Sequence, residues 1–236
     1  MWSGPRNLST AMMYAFAARG DCAVWDEPFY AAYLQATGLN HPMRDEIVAG
    51  HEADPAIVAA RCAAEAPGGK PVFYQKHMTL HMIPGFDRGF MRACENVFLI
   101  RHPARVVASY AKKREGPTLA DIGFVQQAEL FDQVADWLGH APVVIDSADI
   151  RANPGAALSA LCSALKIPFT QNMLHWPAGG HPADGLWAPH WYGAVHRSTG
   201  FEDPEGPLPA LPPAYADLVA QALPHYDRLA ACRLRG

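Results

Sequence analysis

The chain has 236 residues, half of them apolar, and 19 basic residues against 23 acidic ones give a net charge of −4. That is enough apolar length for a sizeable core, and it fits one α/β domain over residues 1–236. The mild charge balance argues against nucleic-acid or membrane-surface partners while leaving room for a local basic pocket.

Five dispersed cysteines without a CxxC pair read as reduced thiols of a cytoplasmic protein. No apolar run approaches the ~18 residues of a membrane span. Met1 is followed by neither the basic nor the apolar stretch of a secretory signal.

Along the chain, the opening WSGPRNLSTAMMYAF places Ser3, Gly4, Pro5, Arg6, Asn7, Ser9 and Thr10 directly before and into a helical pattern over residues 8–19. A glycine-containing turn that feeds a helix usually follows a strand. Only Met1 and Trp2 remain to form one here, so the domain is expected to lack its first strand and to start upstream. CAVWDEPFY reads as a short strand ending in acids, then a helix through Tyr33. Residues 38–54 read as polar and irregular, residues 55–65 as a helix, and APGGK as a turn.

PVFYQK and NVFLIRHP are short, β-branched or aromatic, and are read as buried strands. ARVVASYAKKRE and IGFVQQAELFDQVADWL are amphipathic helices, APVVIDSADI is a third strand, and NPGAALSALCSAL is a helix begun by Asn153 and Pro154. Residues 175–213 lack a period but carry Trp176, Trp187 and Trp191, so an ordered loop over a ligand is expected. A helix over residues 214–230 closes the chain. Strand-helix alternation of this kind predicts a mainly parallel sheet flanked by helices in three layers.

In such folds ligands sit at the carboxyl ends of strands, and the first strand-to-helix turn is a favoured anion site. Gly4 permits close backbone approach, Ser9 and Thr10 offer hydroxyl donors, and Arg6 a permanent forked cation. An ordinary capped helix with a solvated arginine explains the same letters. The segment contains no GK[ST], which counts against an ATP-magnesium enzyme. In IRHPARVVASY a strand ends at Arg101 and Ser109 follows eight residues later on a helix, so both can face one crevice.

These segments carry a family resemblance. SGPRNLST resembles the 5′-phosphosulfate-binding loop of the sulfotransferase family, and RHPARVVAS resembles its 3′-phosphate motif. With DEPFY and STGF, the chain is similar to a small, mostly bacterial branch of these P-loop proteins. The resemblance implies transfer of a sulfuryl group from 3′-phosphoadenosine 5′-phosphosulfate (PAPS) to a hydroxyl or amine of a small-molecule acceptor, without a metal. It implies that Arg6, Asn7, Leu8, Ser9 and Thr10 cradle the 5′-phosphosulfate, and that Arg101 and Ser109 hold the 3′-phosphate. HWYGAVHRSTGF resembles the loop that closes over the adenosine part, with Arg197, Ser198 and Thr199 as candidate contacts.

Arg6 stands where cytosolic members carry a lysine, so its help to the leaving group would be electrostatic. For the base, Glu27 in WDEPFY is preferred, with Lys76 as an oxyanion partner; His77, delivered by the same strand as Lys76, stays as an alternative. His77 and His81 at i, i+4 have a spacing that binds metal on a helix, but no HExxH pattern accompanies them. Trp187 and Trp191 line an acceptor site or simply pack the loop. Two other functions remain: a phosphotransferase using ATP and magnesium, for which Asp146 in VVIDS is the one candidate metal-binding carboxylate, and a non-catalytic nucleotide-binding relative.

Overall fold

The computed structural model describes residues 1–112 and 116–234. The chain runs β1 (Trp2–Ser3), α1 (Ser9–Ala17), β2 (Cys22–Asp26), α2 (Tyr30–Thr37), α3 (Arg44–Gly50), α4 (Pro55–Cys62), β3 (Val72–Met78), β4 (Val97–Ile100) and α5 (Pro103–Ala111). It continues through α6 (Leu119–Ile122), α7 (Phe124–Leu138), β5 (Val143–Asp146), α8 (Ser147–Ala152), α9 (Pro154–Ala164), α10 (Ala188–Trp191) and α11 (Ala216–Ala230). The ladders β1–β4, β2–β3 and β4–β5 are parallel, and the class is α/β. Among the described residues no helix is long and apolar enough to cross a membrane.

Two expectations change. The expected irregular stretch 38–54 contains α3, which buries only Ile47 and therefore shows no amphipathic period. The third strand stops at Asp146, whose side chain accepts from the backbone N–H of Ala148 and starts α8 within the same letters. A two-residue β1 is present and pairs with β4, Trp2 opposite Phe98 and Ser3 opposite Leu99. The last three positions of the helix expected over ARVVASYAKKRE, residues 113–115, lie outside the described residues.

The chain divides into two compact units. One comprises Met1–Ser9, Asn96–Phe169 and Glu202–Gly236. Its strands run in the order β1-β4-β5, and all four residues of β4 are buried, as a parallel strand covered on both faces should be. The carbonyl of Leu99 accepts from both Asn7 Nδ2 (3.2 Å) and Gln127 Nε2 (2.8 Å). One strand carbonyl therefore holds both the turn after β1 and the helix α7. A cluster of Val106, Val107, Ile122, Phe124 and Ala222 packs α5, α6, α7 and α11 together.

The other unit comprises Thr10–Glu95 and Thr170–Phe201. β2 and β3 pair in parallel from Cys22↔Val72 to Asp26↔Lys76. Its aromatic core joins Tyr30, Tyr33, Leu34 and Ile47 to Trp187, Ala188 and Tyr192, so part of the long aperiodic stretch is core by burial. Gly185 allows this: a Cβ there would meet the Trp187 ring at 2.2 Å.

Candidate functional site

In the first unit, the turn after β1 carries two non-glycine residues at positive φ, Arg6 at 65° and Leu8 at 72°. Turns with left-handed residues are among the backbone conformations that can present successive N–H groups to an anion. The conformation costs roughly 1–2 kcal/mol per residue unless its surroundings hold it. Asn7 is the anchor, buried and tied to β4 through Leu99. Gly4 is required by the protein itself, because a Cβ there would lie 2.8 Å from the Ile122 carbonyl oxygen.

Arg6, Arg101 and Ser109 come together. Arg6 Nε donates to Ser109 Oγ at 2.9 Å, and Arg101 Nη1 donates to the Arg6 carbonyl at 2.8 Å. The Arg6 side chain is thus directed at Ser109 on α5. Burial first, and the neighbouring Arg101 cation second, lower its pKa.

α5 starts with His102 accepting from the Ala104 N–H and Pro103 in its first turn. The cap needs an unprotonated ring nitrogen. Burial first, then the Arg105 cation, lowers the His102 pKa accordingly, against the opposing pull of Asp146, Asp227 and Glu205. Arg105 and Ser109 lie four apart on α5, on one helical face.

Three arginines converge on one carboxylate. Glu205, its side chain 3% exposed, pairs with Arg101, with Arg105 Nε at 2.9 Å and with Arg151 Nη1 at 3.3 Å. Arg105 also donates to the Glu205 and Gly206 carbonyls (3.0 and 2.5 Å), and Arg151 Nε to the Asp203 carbonyl at 2.8 Å. Arg105, Arg151 and Glu205 had no part in the sequence-based site. The i, i+4 pair Arg105 and Ser109 was a usable signal; Glu205, about a hundred positions away in an aperiodic stretch, offered none.

In the second unit, the register that sets Asp26 opposite Lys76 builds a buried charge cluster. Lys76 Nζ donates to Asp26 Oδ1 (2.8 Å), Glu27 Oε1 (2.5 Å) and the Tyr192 hydroxyl (2.7 Å). The Tyr192 oxygen lies 2.7 Å from Asp26 Oδ2 and 3.2 Å from Glu27 Oε1, and accepts from Trp187 Nε1 at 2.8 Å. Burial raises the Asp26 pKa; the Lys76 cation pulls against it and the Glu27 carboxylate adds to it.

Burial also presses on Lys76, but Asp26 and Glu27 outweigh it and raise its pKa, so it stays an ammonium ion. Glu27 itself has φ 43°, strained for a residue with a Cβ. Its other carboxylate oxygen, Oε2, lies 3.9 Å from His81 Nδ1.

His77 does not join this cluster. On β3 it points to the face opposite Lys76, where Nε2 meets Gln75 Oε1 at 3.1 Å beside the rings of Phe29 and Phe90. His77 and His81 sit on a strand and in a following 3-10 turn, not on a helix. Thr10 lies in the first turn of α1 and is partly exposed.

Ser198 accepts from Trp176 Nε1 at 3.1 Å and donates to the Val195 carbonyl at 2.8 Å; the Thr199 carbonyl accepts from Trp176 N, and Arg197 is exposed. Trp187 is core and Trp191 packs against it. Asp146 caps α8 and accepts from the Tyr226 hydroxyl at 2.7 Å, so both its oxygens are engaged by the protein.

Parallel strands feeding helices define an α/β protein, and the turn after its first strand brings paired arginines beside a hydroxyl. The comparisons are more specific. The model of the sulfotransferase domain family matches residues 1–233, and the chain belongs to that family.

Branched-chain-amino-acid aminotransferase-like proteins 2 and 1 of Arabidopsis thaliana are each 37% identical to it over 228 residues, 97% of this chain but 40% of theirs. The chain therefore spans well under half the length of these curated relatives. Among solved structures, the sulfotransferase domain of the Synechococcus PCC 7002 olefin synthase has a similar fold, with a TM-score of 0.56 and 17% identity over 97% of this chain and 92% of that one.

Proposed function

We propose that this sulfotransferase-family protein takes its sulfuryl group from PAPS and passes it to a hydroxyl or amine of a small molecule. The observation that carries the reading is the joining of Arg6, Arg101 and Ser109: they come from two turns about a hundred residues apart and meet by direct hydrogen bonds. They fit the donor because a phosphomonoester dianion matches adjacent guanidiniums beside a hydroxyl donor. Burial leaves Arg101 Nε without a protein partner, a donor suited to such an oxyanion.

In this reading Arg101 and Ser109 hold the 3′-phosphate, and Arg6, hydrogen-bonded to Ser109, serves the 5′-phosphosulfate. The backbone N–H groups of residues 6–9, with the Ser9 and Thr10 hydroxyls, hold the 5′-phosphosulfate. When bound, the donor supplies an activated sulfuryl group on a phosphate leaving group.

The protein's work is in-line positioning and neutralisation of charge that develops on the leaving phosphate. Arg6, unable to give up its proton, contributes charge alone. Glu27 is the candidate base for the acceptor's proton, its Oε1 held by Lys76 and Tyr192. Lys76, kept charged by two carboxylates, holds Glu27 in place and is not itself a base. His77, on the other face of β3, has no part in this scheme.

Calorimetric titration of 3′-phosphoadenosine 5′-phosphate (PAP) in magnesium-free buffer checks the donor assignment. Saturable binding is expected, weakened at least a hundredfold by Arg101→Ala, as for a charged partner removed from a buried pair. Binding of ATP with magnesium in preference to PAP would replace this reading with that of a phosphotransferase.

A further inference from the structure

The buried carboxylate of Glu205 is unused by the reaction described above, yet it sits on the arginine assigned to the nucleotide. We infer that Glu205 is a built-in competitor for the 3′-phosphate: it pairs with Arg101 when the nucleotide is absent, yields Arg101 to the incoming phosphate, and returns as PAP leaves. The inference rests on the donor reading of the same residues.

Charge balance supports exchange over a permanent pair. Arg6, Arg101, Arg105 and Arg151 form one connected group, and Glu205 is the buried carboxylate among them; Glu202, paired to Arg151 Nη2 at 3.3 Å, is 58% exposed and weakly coupled. Beside four guanidiniums, this single buried monoanion leaves the group with positive charge in excess. A phosphomonoester dianion neutralises it more fully than a carboxylate, so the phosphate wins Arg101. An unphosphorylated ribose, with no charge to offer, does not.

The three arginines divide the work. Arg105 and Arg151 grip the backbone of the Glu205 segment through the carbonyls of Asp203, Glu205 and Gly206. Arg101 contacts that segment only through the carboxylate. The Glu205 side chain can therefore release Arg101 by rotating toward Arg105 and Arg151 while its backbone stays anchored. The carboxylate remains at hand to retake Arg101, which shortens the residence of a product carrying two phosphates. Product release limits turnover in many enzymes.

Glu205→Gln keeps the shape and removes the competing charge. Titrated with PAP, the variant is expected to bind about tenfold tighter than wild type, the gain falling in the dissociation rate. Its affinity for adenosine 5′-monophosphate, which lacks the 3′-phosphate, should be unchanged. Its ligand-free melting temperature should fall and its PAP-induced rise should exceed that of wild type, because three guanidiniums lose their counter-charge until ligand supplies one.

Equal or weaker PAP binding by the variant, with wild type still binding PAP, makes Glu205 a fixed support for Arg101 and overturns the inference alone. Failure of wild type to bind PAP removes the donor reading and this inference with it. Should the variant not fold, the wild-type complex decides: a crystal structure with PAP should show Glu205 parted from Arg101, and a retained pair overturns the exchange.

Discussion

Lys76 shows what a single residue is asked to do. It is 1% exposed and carries one positive charge between two carboxylates and a phenol. Removing one partner of a buried ion pair strands the other, at about 3–5 kcal/mol. Lys76→Met should therefore lower the unfolding free energy by that amount in urea titration. Adding Asp26→Asn should recover part of the loss, because one stranded carboxylate becomes a neutral amide; strictly additive losses would mean that the two residues are not coupled. How far this cluster could be read in advance is instructive. Glu27 and Lys76 carry charge at strand ends and stood out. His77 was grouped with Lys76 by proximity in sequence, although period-two alternation in FYQKHM already sends the two side chains to opposite faces. Tyr192, more than a hundred positions from Lys76, sits in a stretch without regular period; no local pattern could assign it.

Among elements, the strands were the most legible, since β2, β3 and β4 are short apolar runs with turn residues behind them. Helix starts followed where capping chemistry was explicit, as at Asn153 accepting from the Ala156 N–H with Pro154 next. α8 was hidden because DSADI continues the letters of β5, and only the Asp146 side chain, turned back to cap Ala148, ends the strand. That makes Asp146 more than an ordinary cap. Its second oxygen holds Tyr226 of α11, so one carboxylate fixes two helices to the end of β5. Asn153→Ala should cost about 1 kcal/mol, the usual value of a cap. Asp146→Ala should cost about 2–4 kcal/mol, the cap plus the stranding of a part-buried hydroxyl. Parallel urea denaturation of the two variants checks the difference; equal losses would show that Tyr226 finds water as good a partner.

At the scale of the whole molecule, buried neutral groups set the pH range of stability. Burial holds the pKa values of His77 and His81 well below the usual 6.5. The unfolded chain binds protons below pH 6.5 that the folded chain refuses, so the stability these groups carry is complete above pH 6.5 and is lost as the pH falls further. Each refused proton is worth about 1.4 kcal/mol per pH unit, so two give a slope of up to about 2.7. Asp26 works in the opposite direction: burial raises its pKa above 3.8, so the folded state takes a proton before the unfolded state does, and part of the loss is returned as the pH falls through that window. On the alkaline side, burial pushes the Cys22 thiol up to about 11 and that of Cys62 to about 12. The unfolded chain ionises these thiols from about pH 9 while the folded chain does not, so stability declines again above that pH. Unfolding free energies measured from pH 4.5 to 10 should trace a plateau near pH 6.5–9 with a steeper acid limb. His77→Leu should reduce the acid slope by up to about 1.4 kcal/mol per pH unit while leaving the alkaline limb unchanged. A wild-type profile flat from pH 6.5 to 5 would mean that these imidazoles are reached by water in the folded state and charge there as they do in the unfolded chain.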